Sequence, residues 1–205
     1  NPPAKAGGQT LANRLGGTFL YLPLSYTPQV IRRNLQTLCT ALDVTYDPAE
    51  DEARAQQALR HAKALLGDTE IAIDYTATPA PMSLARCLIE HGLRVSRIYA
   101  DSIAACDLDD FLWLQENAPD LSLYATVEVK LRVLPRRTER PMLAIGQKAA
   151  YFTGTRHFVN IVEGGGMYGF DGICRLCARI EEAFLTARDP RNYIQQKGLG
   201  CESCL

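Results

Sequence analysis

Histidine is scarce: three in 205 residues, His61, His91 and His157. One lies on the polar face of a predicted helix, one ends another helix, and one enters a predicted strand. No His-x-x-His metal pair, no Ser–His–Asp arrangement and no nucleophile elbow can be read from the chain, which argues against the familiar zinc-protease and hydrolase sites. No apolar run approaches the roughly 18 residues of a membrane span. The opening Asn-Pro-Pro-Ala-Lys-Ala-Gly-Gly has no apolar signal-peptide region. Basic residues form no long run, and 22 Lys and Arg stand against 23 Asp and Glu, a net charge of -1. A nucleic-acid partner is therefore not expected, nor is a membrane. The first residue is Asn rather than Met, so the chain is expected to be a piece of a longer protein.

Cysteine is present but odd in number, seven in all. Without a secretion signal, that count predicts a reduced, cytoplasmic protein rather than a disulfide framework. Cys174 and Cys177 fall inside a predicted helix, with Cys177 on its apolar stripe, and read as core or flank thiols. Cys201 and Cys204 lie in a glycine-bearing tail as Cys-Glu-Ser-Cys. They are the candidate metal pair. Two thiolates do not complete a tetrahedral site, so further ligands would have to come from elsewhere. An inert tail is the other reading.

The length suits one large or two small α/β units. Residues 9–15 read as the end of a helix and 18–22 (Thr-Phe-Leu-Tyr-Leu) as a buried strand. Thr27 with Pro28 predicts a helix start, N-cap followed by proline. Residues 49–66 are rich in Ala, Glu, Arg, Gln and Lys and predict a long helix. After it comes a strand–loop–helix rhythm: strands over 70–75, 93–100, 121–126, 142–145 and 158–162, helices over 82–91, 108–116, 149–153 and 173–187. Val127, Val129, Leu131 and Val133 alternate with polar residues and predict an extended run. Asp107 and Asp171 are read as helix caps. Strands alternating with helices of this length predict a Rossmann-like, doubly wound parallel α/β sheet. Three parts are expected: residues 1–48 as a partial first lobe completed by the C-terminal helix, 49–162 as a second Rossmann-like lobe, and 163–205 as a glycine loop, helix and cysteine-containing tail.

In such sheets ligands bind outside the carboxyl ends of the strands. The exit loops therefore supply the candidate site. Thr76, Thr78, Ser102 and Gln147 offer hydrogen bonds, and Lys148 offers charge. Asp101 stands where a dinucleotide fold places its ribose carboxylate, but the loop Thr-Ala-Thr-Pro-Ala-Pro over 76–81 lacks glycine. A pyrophosphate needs bare backbone there, which argues against a nicotinamide dehydrogenase. Bare backbone does occur at Gly164, Gly165 and Gly166, just before the last helix. Each glycine costs roughly 1 kcal/mol relative to alanine. Two readings stay open: a tight strand-to-helix turn, or a cradle of N–H groups for an anionic ligand or cofactor.

The residues Ala144-Ile-Gly-Gln-Lys148, the strand over 158–162 and the run Gly-Gly-Gly-Met-Tyr-Gly-Phe-Asp-Gly over 164–172 resemble the nitrogenase component 1-type oxidoreductases, the molybdenum–iron protein family and its relatives. Weaker matches over 17–23 and 70–92 extend the resemblance to nearly the whole chain, but only to the family's C-terminal part. The resemblance implies two Rossmann-like lobes and, in a full-length protein, an iron–sulfur or metal–sulfur cluster or a tetrapyrrole substrate held between domains. It also implies a second component 1-type subunit, or a homo-oligomer, and an ATP-dependent iron–sulfur reductase as electron donor. The chain departs from the family where a cofactor histidine is expected, near 159–162, and where an arginine is expected, within 76–81. The family's cofactor and relay cysteines have no counterparts. Dinitrogen reduction is therefore not expected. A nitrogenase-like reductase with a cavity for a metal–sulfur cofactor or reducible substrate is expected. The alternative is a cofactor-assembly scaffold, or a small-ligand-binding Rossmann-like module without redox activity.

Overall fold

The fold follows from central strands buried on both faces. The computed structural model describes residues 4–133, 140–162, 164 and 166–189. Five strands form one parallel sheet: β1 (Glu70–Asp74), β2 (Arg94–Tyr99), β3 (Ser122–Tyr124), β4 (Met142–Ile145) and β5 (Phe158–Val159), in the order β3-β2-β1-β4-β5. The order reverses between β1 and β4, which opens a crevice at their carboxyl ends. Seven α-helices are found among the described residues: α1 (Ala4–Leu15), α2 (Pro28–Leu42), α3 (Ala49–Leu66), α4 (Pro81–Glu90), α5 (Leu108–Asn117), α6 (Gln147–Thr153) and α7 (Gly169–Leu185).

Side chains of a strand alternate between faces, and here the two faces carry different cores. Ile71 and Ile73 of β1, Leu143 and Ile145 of β4 and Val159 of β5 face one way. They pack with Leu59, Ala62 and Leu66 of α3, Leu84 and Leu88 of α4, and Leu176, Ile180 and Ala183 of α7. Ala72, Tyr99, Met142, Ala144 and Phe158 face the other way and are covered by Ala149, Ala150 and Phe152 of α6. Tyr99 stacks between Tyr124 and Phe152, with ring centres 5.2 and 5.0 Å away. Among the described residues, no helix is long and apolar enough to cross a membrane.

Several expectations need correction. Residues 18–22 form no strand; they pair with no described strand, and Leu20 is exposed. A β-like composition does not make a strand where no neighbour offers a ladder. The alternation at Val127, Val129, Leu131 and Val133 is not extended either. Val129–Arg132 is a 3-10 turn that buries Leu131 and leaves the three valines exposed. The Glu128 carboxylate accepts the Lys130 N–H at 3.1 Å, a local cap that fixes the turn. Asp171 is not the cap of α7. Tyr168 holds that position, and Asp171 sits in the first turn, paired with Arg175 at 2.8 Å. Helix α6 begins at Gln147, two residues before the expected start, so Gln147 and Lys148 belong to its first turn rather than to a loop.

Candidate functional site

The most buried carboxylate among the described residues lies at the crevice. Asp74 ends β1 with no exposure to solvent. Its Oδ1 accepts the Thr76 N–H at 2.8 Å, the Thr76 hydroxyl and the Ala77 N–H at 3.1 Å. Its Oδ2 accepts the Ala149 N–H at 2.7 Å, in the first turn of α6. Gly146, with φ 109°, passes so close that a Cβ there would collide with the carboxylate. Burial raises the Asp74 pKa, while the bonds from Thr76, Ala149 and Ala77 act against that shift. The carboxylate thus caps α6 from another strand.

A second buried carboxylate sits beside the start of α4. Asp107, 3% exposed, stands at the N-cap position of α5 without capping it. Instead it lies near the backbone N–H of Met82, in the first turn of α4, which acts to lower its pKa. Burial, and then the like charge of Asp110, push the Asp107 pKa up to about 7. Arg86 holds Asp110 at 3.1 Å and Glu90 at 2.9 Å, with its guanidinium 4.9 Å from the Trp113 ring centre. At the start of α6 the place an external anion would take is filled by the chain itself.

Beside these carboxylates lies a cleft of about 810 Å³. One wall is the segment from Tyr21 to Ser25 together with Ile31, Asn34 and Leu35 of α2. The opposite wall is the β1 exit loop, with Tyr75, Thr76, Pro79 and Ala80, and the start of α7 at Tyr168 and Gly169. Cys106 and Val162 complete it. The N-terminal wall is fastened by buried hydrogen bonds. The Tyr26 hydroxyl donates to Thr78 Oγ1 at 3.1 Å, the Tyr26 N–H reaches Ser83 Oγ at 3.0 Å, and the Ser25 and Ser83 hydroxyls meet at 2.9 Å. Burial pushes the Tyr26 phenol up to about 12.

The expected site residues divide by position. Thr76 lines the cleft and is bonded to Asp74; Thr78 is buried and holds Tyr26. Lys148 Nζ donates to the Tyr75 hydroxyl, next to the cleft. Gln147 turns to Asn160, its Nε2 donating at 2.6 Å, and Ser102 lies exposed on the exit of β2. Gly164, φ 78°, donates its N–H to the Ala77 carbonyl at 2.6 Å and packs under the Tyr168 ring. Gly166 is exposed, and its carbonyl accepts Arg175 Nη2 at 2.7 Å. Gly165, Cys201 and Cys204 lie outside the described residues. Asp74, Tyr75 and Asp107 were not singled out as site residues from the sequence. The signal for Asp74 was an acidic residue closing an otherwise apolar buried strand.

The donor chemistry does not fit a cluster held by the described residues alone. No three His, Cys, Asp or Glu among them are grouped to hold a metal. The cleft wall offers one thiol, Cys106, and no imidazole. Cys87 and Cys177 are buried thiols pushed up to about 12 by that burial.

No family model and no curated protein matches the chain. A solved structure described as "Nitrogenase Cp1 at pH 6.5" matches over 87% of this chain and 42% of its own, with a TM-score of 0.60 and 16% identity. The chain therefore spans less than half the length of that neighbour. At this identity the likeness is one of architecture, and the conclusion it carries is that this α/β sheet with its flanking helices is a nitrogenase-like, Rossmann-type fold.

Proposed function

We propose that this chain supplies one wall of the substrate cavity in a reductase built like nitrogenase component 1. The observation that carries the reading is the cleft at the carboxyl end of β1, walled by Leu22, Leu24, Ile31, Leu35, Pro79 and Val162 and edged by the phenols of Tyr21, Tyr75 and Tyr168. Such a lining suits a flat, largely apolar organic substrate, a tetrapyrrole among them, better than a bare metal–sulfur cluster, which needs thiolate or imidazole ligands. In this reading the chain binds and orients the substrate and keeps water from it. A second component 1-type subunit closes the open side, and an ATP-dependent iron–sulfur reductase delivers electrons. A metal–sulfur cluster in the complete protein supplies the redox chemistry, on ligands other than those described here.

The second reading, a small-ligand module or cofactor-assembly scaffold without redox activity, draws on the lack of a cluster ligand set among the described residues. Anaerobic purification of the complete protein, with metal analysis, visible spectra and extraction of bound organic compounds, separates the two. Iron together with a reductase-dependent change of the bound compound supports the first reading. A colourless, iron-free protein with a bound compound that no reductase alters supports the second.

A further inference from the structure

One of the phenols on the cleft wall is bonded to a lysine and has a carboxylate near it. Lys148 Nζ donates to Tyr75 Oη and lies 4.3 Å from the centre of the Tyr75 ring. An ammonium group has donors only. The Tyr75 oxygen therefore receives this bond, and its own proton turns elsewhere. Asp101, at the exit of β2, lies near it and accepts the Thr126 hydroxyl from the exit of β3. Burial acts against the Asp101 charge, but the bond from Thr126, the nearby Tyr75 hydroxyl and the charge of Lys148 outweigh it. Residues from the exits of β1, β2 and β3 and the start of α6 thus gather beside one phenol that lines an apolar cleft.

The charges of Lys148 and Asp101 offset each other, so the cluster shows the cleft a neutral donor rather than a net field. Asp101 is exposed and can take its remaining hydrogen bonds from water. Tyr75 Oη is then free to donate into the cleft while Lys148 keeps it in place. A neutral donor suits a carbonyl oxygen.

We propose that Tyr75 is the hydrogen-bond donor to the carbonyl oxygen of a flat, conjugated ligand in this cleft, with Lys148 as the positioning residue behind it. The proposal rests on reading the cleft as an apolar ligand site. Its chemical value is electrostatic: when a conjugated carbonyl compound gains an electron from the iron–sulfur reductase, negative charge gathers on the oxygen that the phenol already faces.

Two probes test it: 9-fluorenone, flat and apolar with one carbonyl, and fluorene, the same skeleton without it. Infrared spectra of fluorenone bound to the wild-type protein should show the carbonyl band moved to lower wavenumber. Tyr75→Phe keeps the ring that shapes the wall. It should return the band to its unbonded position and weaken fluorenone roughly tenfold, leaving fluorene unchanged. Lys148→Met should broaden the band, and Lys148→Arg should keep it narrow. An identical band in wild type and Tyr75→Phe, or an equal loss for both probes, overturns the proposal and leaves the cleft standing as an apolar site. Failure of the wild-type protein to bind either probe overturns the cavity reading and this one with it.

Discussion

Asp74 and Gly146 meet across the reversal point of the sheet, the carboxylate of one filling the space a side chain on the other would need. The contact joins the end of β1 to the start of α6, since the same carboxylate accepts the Ala149 N–H. Gly146→Ala adds a Cβ at φ 109° and drives it into Asp74. The expected cost is about 3 kcal/mol or more. Urea unfolding of the variant measures it, and a loss below about 1 kcal/mol would show that the two segments can part cheaply.

Asp107 should make stability depend on pH. Its pKa rises from 3.8 in the unfolded chain to about 7 in the fold, because burial and Asp110 disfavour its charge. The folded form therefore holds the proton more tightly, and stability falls as pH rises through that window. The full difference approaches about 4 kcal/mol as an upper bound. Asp107→Asn keeps an oxygen near the Met82 N–H and removes the titration. Chemical denaturation from pH 4 to 8 should show wild-type stability declining relative to this variant. Parallel curves would mean that Asp107 ionises freely in the fold.

Tyr26 secures the N-terminal wall of the cleft through Thr78. Tyr26→Phe preserves the packing and strands the Thr78 hydroxyl, which keeps only its contact with the Ala80 N–H at 3.3 Å. A loss of about 1–2 kcal/mol is expected. Faster amide hydrogen exchange across residues 21–25 should accompany it. Unchanged exchange there would place the wall's anchorage in its apolar contacts instead.

The thiols should separate by burial. Cys87 and Cys177, each pushed up to about 12, should stay unreactive toward a thiol reagent at pH 8 until the protein unfolds. Cys106 is exposed on the cleft and should react in the native state. A ligand in the cleft should slow it. Labelling followed by peptide mass mapping reads all three, and native modification of Cys177 would point to an opening of α7 away from α3.

The sequence was most legible where local pattern and burial agree. Four apolar residues between Pro141 and Gly146 predicted β4 with its observed bounds, and the Ala- and Glu-rich run predicted α3 over Ala49–Leu66. The Thr27–Pro28 start of α2 is where the pair placed it. Local pattern misled at 18–22 and 127–133, where strand-like residues have no described strand beside them. The site was less legible for a related reason. Asp74 gains its role from Ala149, 75 positions onward, and Tyr75 from Lys148, 73 positions onward. No spacing rule within a single segment reports such pairs. The glycine run announced a turn, and Gly164 and Gly166 do take positive φ. What the run could not announce was that the Gly164 N–H is spent on Ala77.

That bond between Gly164 and Ala77 fastens the lead-in of the last helix to the loop leaving the first strand. The two lips on one side of the cleft are thereby stitched together. A guest that lifts either lip must carry the other with it, so admission would register as a concerted shift of both, transmitted along α7 toward α3.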